Sequence, residues 1–113
     1  MISIFRKNNY SVELNYTDES GNPKNIEGYT FNFIVKKVGD NFDNDTLSII
    51  NKSAVLSGTD AQNGIFYLTL SITDTDIEPN TYKCQFQLEN TGIIETLLQD
   101  SFVIKNNYKK DYN

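Results

Sequence analysis

The run Thr81–Glu89 reads Thr-Tyr-Lys-Cys-Gln-Phe-Gln-Leu-Glu and alternates without a break. Tyr82, Cys84, Phe86 and Leu88 fall on one side of an extended chain, and Lys83, Gln85, Gln87 and Glu89 on the other. A helix advances about 100° per residue and would scatter both sets around its circumference. A strand repeats every second residue and sorts them. Glu78-Pro79-Asn80 enters the run and Asn90-Thr91-Gly92 leaves it, both of them turn chemistries. The stretch is therefore predicted to be a central strand of an antiparallel sheet, buried on one face, with a hairpin partner following it.

The same period recurs along the chain. Tyr10–Thr17 sets Tyr10, Val12, Leu14 and Tyr16 against Ser11, Glu13, Asn15 and Thr17. Thr30–Val38 sets Phe31, Phe33 and Val35 against Asn32, Ile34 and Lys36, and Ile65–Ile72 sends Phe66, Leu68, Leu70 and Ile72 inward. Leu47–Ile50 and Ser53–Ser57 read as two short strands or one kinked one. Ile93–Leu98 reads as the return strand, bulging near Gln99-Asp100-Ser101 and resuming as Phe102–Lys105. Ile2–Phe5 is a short edge piece. Turn signals separate these runs: Asp18-Glu19-Ser20-Gly21-Asn22-Pro23, and Gly58 through Asn63-Gly64. In the Thr73–Pro79 crossover, Asp74 is read as the cap of a single helical turn. No stretch has the periodicity of a helix of ordinary length. Residues 1–105 are read as one domain and 106–113 as a loose polar tail.

Many short strands with a turn signal between each pair predict an all-β fold, an immunoglobulin-like antiparallel β-sandwich of about seven to eight strands. A small closed barrel is the runner-up. Tyr82 stands two residues before Cys84, the spacing of the tyrosine corner that opens strand F in immunoglobulin-like domains. Its hydroxyl is then expected to bond to backbone upstream. The plainer alternative makes Tyr82 a core aromatic at a strand start.

With 113 residues, a single domain buries roughly 65 % of its unfolded surface, enough for a core. Ten basic against fifteen acidic residues leave a net charge of −5, and Arg6 is the lone arginine, which argues against a nucleic-acid partner. No run approaches the roughly 20 apolar residues of a membrane span, so no membrane partner is expected. The N-terminus meets Arg6 and Lys7 before any long apolar run, and no signal peptide is read there. One cysteine makes no internal disulfide.

The chain contains no histidine, which removes histidine triads, histidine general bases and histidine metal sites. Cys84 lies on the inward face and reads as an inert buried thiol. No phosphate-cradling glycine pattern is present. Asp40-Asn41-Phe42-Asp43-Asn44-Asp45 and Asp74-Thr75-Asp76 are oxygen-rich but lack the spacing of a calcium loop, and are read as solvated loops. Nothing in the sequence sets two carboxylates across a cleft as a glycosidase needs. Tyr10, Tyr16, Tyr29, Tyr67, Tyr108 and Tyr112 suit sugar stacking, yet strand tyrosines are more often core or cross-strand pairs. No catalytic residue, metal or cofactor is therefore assigned.

Five segments, taken in order, resemble the immunoglobulin-like domains of phage tails. They are Asp18–Pro23, Gly28–Phe33, Thr59–Gly64, Asp74–Tyr82 and Leu97–Ile104. The chain is most similar to the N-terminal domain of the phage baseplate upper protein family, and the likeness covers nearly its whole length. It departs at Asn80, where the family usually has Gly; Asn is the residue that next best tolerates a left-handed turn. The resemblance implies a virion structural protein, made in the host cytoplasm, that docks to other virion proteins or to copies of itself and has no catalytic residues. A carbohydrate-binding or adhesion module is the alternative.

Sandwich edges carry unpaired backbone groups, so the docking surface is sought there. The expected edges are Ile2–Phe5 and Phe102–Lys105, with Ile2, Ile4, Phe5, Phe102, Val103 and Ile104 as interface residues. Tyr108 and Tyr112 of the tail are expected to order on contact. In the competing arrangement the two segments pair with each other inside one sheet and the tail frays. If truncation of residues 1–5 and of 106–113 leaves assembly unchanged, the docking surface is expected on the loops Gly39–Asp45 or Gly58–Gly64.

Overall fold

An alternating run pairs its backbone groups with neighbouring strands, and seven strands among the described residues supply them. The computed structural model describes residues 1–40, 42 and 48–106. Its strands are β1 (Ile2–Phe5), β2 (Tyr10–Asn15), β3 (Thr30–Lys37), β4 (Ile50–Val55), β5 (Ile65–Leu70), β6 (Asn80–Asn90) and β7 (Ile93–Lys105), with one short helix, α1 (Gly58–Gln62). They form two sheets, one ordered β1-β7-β6-β3-β4 and the other β2-β5. All ladders are antiparallel except β1 beside β7, which is parallel. This is an all-β sandwich, with seven strands in two sheets among the described residues.

The inward residues of both sheets make one core. Phe31, Phe33 and Val35 from β3, Cys84, Phe86 and Leu88 from β6, and Phe66, Leu68 and Leu70 from β5 are all buried. Phe31 meets Phe66 across the sheets with ring centroids 4.9 Å apart, edge to face. Phe33 meets its cross-strand neighbour Phe86, within one sheet, also edge to face at 4.9 Å. Full burial of such a side chain stabilises by about 1.5–3 kcal/mol. The central strand is thus β6, flanked by β3 and β7 and buried on the predicted face.

Several local expectations shift. The two short pieces around residue 50 become the single strand β4; residue 47 lies outside the described residues. The segment read as a turn before Gly64 winds into α1, where Ala61 is buried against β5. Ile72 falls beyond β5 and is exposed. Asn80 is the first residue of β6, not a left-handed turn residue. At the crossover the cap is Ser71: its hydroxyl accepts from the Asp74 N–H, and the Asp74 carboxylate accepts from the Ser71 N–H at 2.8 Å. The reciprocal pair is a capping box, in which Asp74 plays the third-position acid.

The β6–β7 hairpin closes through Thr91-Gly92, both at positive φ (49° and 83°), as a two-residue turn with right-handed twist requires. The bulge in β7 comes earlier than expected. Phe86 faces Leu98 while Gln87 faces Thr96, which leaves Leu97 as the extra residue. Its insertion inverts the phase of the strand, so that Glu95, opposite the inward Leu88, is aimed at the gap between the sheets.

Candidate functional site

The expected edges are corrected first. β1 and the second half of β7 pair with each other, Ile2 beside Phe102 through Phe5 beside Lys105. With β6 on its other side, Phe102–Lys105 is interior to the sheet. Phe102 is 0 %, Ile104 2 % and Ile4 5 % exposed, so these three are core and cannot meet a partner. Ile2 and Val103 are half-buried. Phe5 is exposed, with the Lys105 ammonium 4.3 Å from its ring centroid. Parallel pairing satisfied the backbone groups that the reading had left open. Tyr108 and Tyr112 lie outside the described residues, as do most of Gly39–Asp45.

The open edge lies further back on the same strand. β1 covers only residues 102–105 of β7, so Ile93–Ser101 has β6 on one side and, among the described residues, no strand on the other. Ile93, Ile94 and Leu98 are 72 %, 57 % and 46 % exposed along it. β2 has β5 on one side and likewise no strand on its outer side.

Between the two bare edges runs a groove of about 380 Å³. Leu14 of β2 and Tyr16, just past its end, form one wall, Glu95 and Leu98 of β7 the other, and the core rings Phe66 and Phe86 reach its floor. Tyr16 donates its hydroxyl proton to Glu95 and so ties the two sheets at one end. That bond, with burial and the Glu95 charge, pushes the Tyr16 phenol up to about 12. At the other end of the bare stretch the N-terminal ammonium of Met1 donates to Asp100 at 2.6 Å and holds the Asp100 carboxyl below the usual range. Glu95 is the single charge in the groove lining.

No comparable arrangement of reactive groups is found among the described residues. Cys84 is fully buried, and burial, then the Asp100 charge, pushes its thiol up to about 11. A thiol held in that state is a poor nucleophile. Asp74 takes the Lys52 ammonium at 2.8 Å, and Asp76 takes the Arg6 guanidinium at 2.9 Å, so both acids of the second oxygen-rich run already have cations. No group of three acids, histidines or cysteines suited to a metal occurs among the described residues. No helix among them is long and apolar enough to cross a membrane. The exposed aromatics Phe5 and Tyr67 sit on different sheets and make no common stacking platform.

The open edge has a signal in the sequence. Ile93-Ile94 and Leu97-Leu98 are adjacent apolar pairs, and a strand that alternates cannot bury both members of such a pair. Each pair announces either an exposed side chain or a bulge, and β7 contains both. Compared with known proteins, the chain matches no family model and no curated sequence.

Proposed function

We propose that this chain is a non-enzymatic structural module of a bacteriophage or prophage particle, of the tail or baseplate kind, which docks to other virion proteins. Two things support the reading. The five segments quoted above resemble phage-tail immunoglobulin-like domains in their order, and the sandwich has a bare edge suited to strand addition. The observation that carries the docking half is the exposure of Ile93, Ile94 and Leu98 beside the unpaired outer side of β7. Backbone hydrogen bonds along such an edge supply affinity, and the side chains of alternate residues supply selectivity, so no catalytic group is needed. Among the described residues the exposed aromatics Phe5 and Tyr67 share no platform, so they add no support to the carbohydrate alternative.

Particles purified from an induced lysogen that carries the gene should contain the chain as a stoichiometric component. Ile94→Lys combined with Leu98→Lys should remove it from the particles. Both positions are surface sites, so the free domain should keep a cooperative urea transition within about 1 kcal/mol of the parent. Particles that lack the chain altogether overturn the virion assignment. Particles that retain the folded double variant overturn the assignment of the edge.

A further inference from the structure

We infer that the groove between β2 and β7 receives the segment Tyr108–Tyr112 of a second copy of this chain, added as a strand ahead of β1. The inference rests on the docking reading above and names the occupant of that edge.

The chemistry of the groove selects the occupant. Leu14, Phe66, Phe86 and Leu98 give the groove its apolar surface, Asn15, Thr17 and Thr96 add neutral polar groups, and Glu95 is the one anion in the lining. A matching strand presents bulky side chains at alternate positions with a cation between them. Tyr108-Lys109-Lys110-Asp111-Tyr112 has that pattern: Tyr108, Lys110 and Tyr112 share one face of an extended chain. Lys110 is then opposite Glu95, with a tyrosine on each side to cover Leu14 and Leu98.

Reach decides between the same copy and another. From Lys105 back to Leu98 is seven residues of strand, roughly 23 Å. Tyr108, three residues past Lys105, extends at most about 11 Å. The edge of β7 between them is already occupied by β1. A chain cannot lay its own Tyr108–Tyr112 along its own groove, and a neighbour can.

Charge decides against the simpler dimer. Two copies of the bare β7 edge paired antiparallel about Leu97-Leu98 would set Glu95 against Asp100, like charges directly opposite. Tail into groove joins unlike surfaces instead, so the contact is head-to-tail and propagates into a ring or a filament.

The test uses the full chain, a chain ending at Asn106, the full-length Glu95→Lys variant and a labelled peptide of residues 106–113. Sedimentation velocity should show concentration-dependent oligomers for the full chain, weakened by added salt, and monomers for the other two proteins. The peptide should bind the shortened chain and shift the amide resonances of Ile94–Leu98. Glu95→Lys, placed in the shortened chain, should weaken that binding by about tenfold. A peptide that does not bind, or that shifts resonances elsewhere, overturns the inference, as does a shortened chain that still forms the same oligomers. The particle assay separates the two proposals. Incorporation of the shortened chain, with its loss in Ile94→Lys/Leu98→Lys, keeps the docking edge and assigns it to another virion protein.

Discussion

The Tyr82 hydroxyl donates to the carbonyl oxygen of Glu78, four residues upstream, at 2.6 Å. Pro79 lies between them, so the bond clamps the entry to the central strand across a residue that donates no backbone hydrogen bond of its own. A tyrosine corner makes a bond of this kind. Tyr82→Phe keeps the buried ring and leaves the Glu78 carbonyl to water. The expected cost is about 1 kcal/mol, read as a lowered urea midpoint at unchanged slope. An unchanged midpoint would leave Tyr82 as a packing residue only.

Gly64 has φ +75°, and a Cβ placed on it would stand 2.3 Å from the Tyr16 carbonyl oxygen and 2.9 Å from that of Lys24. Both neighbours are backbone and cannot swing away. Gly64→Ala should therefore destabilise by roughly 2–4 kcal/mol. Gly21, at φ +84°, faces open space, and Gly21→Ala should cost only about 1 kcal/mol. Equal costs for the two in a urea titration would mean that crowding at Gly64 relaxes.

Thr91 is β-branched and sits at φ 49° in the β6–β7 turn, a position that suits Asn. Thr91→Asn should stabilise by about 0.5–1 kcal/mol. A lower thermal midpoint for the variant would show that the Thr91 hydroxyl, which bonds the Asn90 carbonyl at 2.8 Å, matters more than the backbone strain.

Cys84 should react with a thiol reagent at the rate of unfolding. Its side chain is fully buried and its thiol is raised to about 11, so little thiolate is present or reachable at neutral pH. Labelling should be slow in buffer and fast in urea. Fast labelling of the native protein would reverse the assignment of the two faces of β6.

Tyr16 links stability to alkaline pH. Its phenol ionises near 10 in the unfolded chain and near 12 when it donates to Glu95. Above pH 10 the unfolded state releases this proton and the folded state holds it, so stability falls as pH rises through that window. The contribution is complete below about pH 10 and gone above about pH 12. Urea midpoints taken at about pH 9 and about pH 11 should differ less for Tyr16→Phe than for the parent. An identical drop in both proteins would remove Tyr16 from the linkage.

The faces of the strands were legible from the residues alone. Tyr82, Cys84, Phe86 and Leu88, and likewise Phe31, Phe33 and Val35, are buried because a period of two is a local geometric property that survives any arrangement of neighbours. The upstream bond of Tyr82 was legible as well, since Tyr82 and Glu78 are only four residues apart. Thr91-Gly92 likewise announced its hairpin.

Which strand lies beside which was decided only by the tertiary structure. Every strand offers the same backbone donors and acceptors, so the pattern of β1 does not say whether it pairs with β7, with β2 or with another chain. The parallel pairing of Ile2–Phe5 with Phe102–Lys105 joins segments about a hundred residues apart, and it turned two expected docking edges into core. It also ended beside Asp100, which left Ile93 to Leu98 bare. The groove follows from that ending and from the empty outer side of β2. An open edge is a property of where neighbours stop, and no residue encodes it by itself.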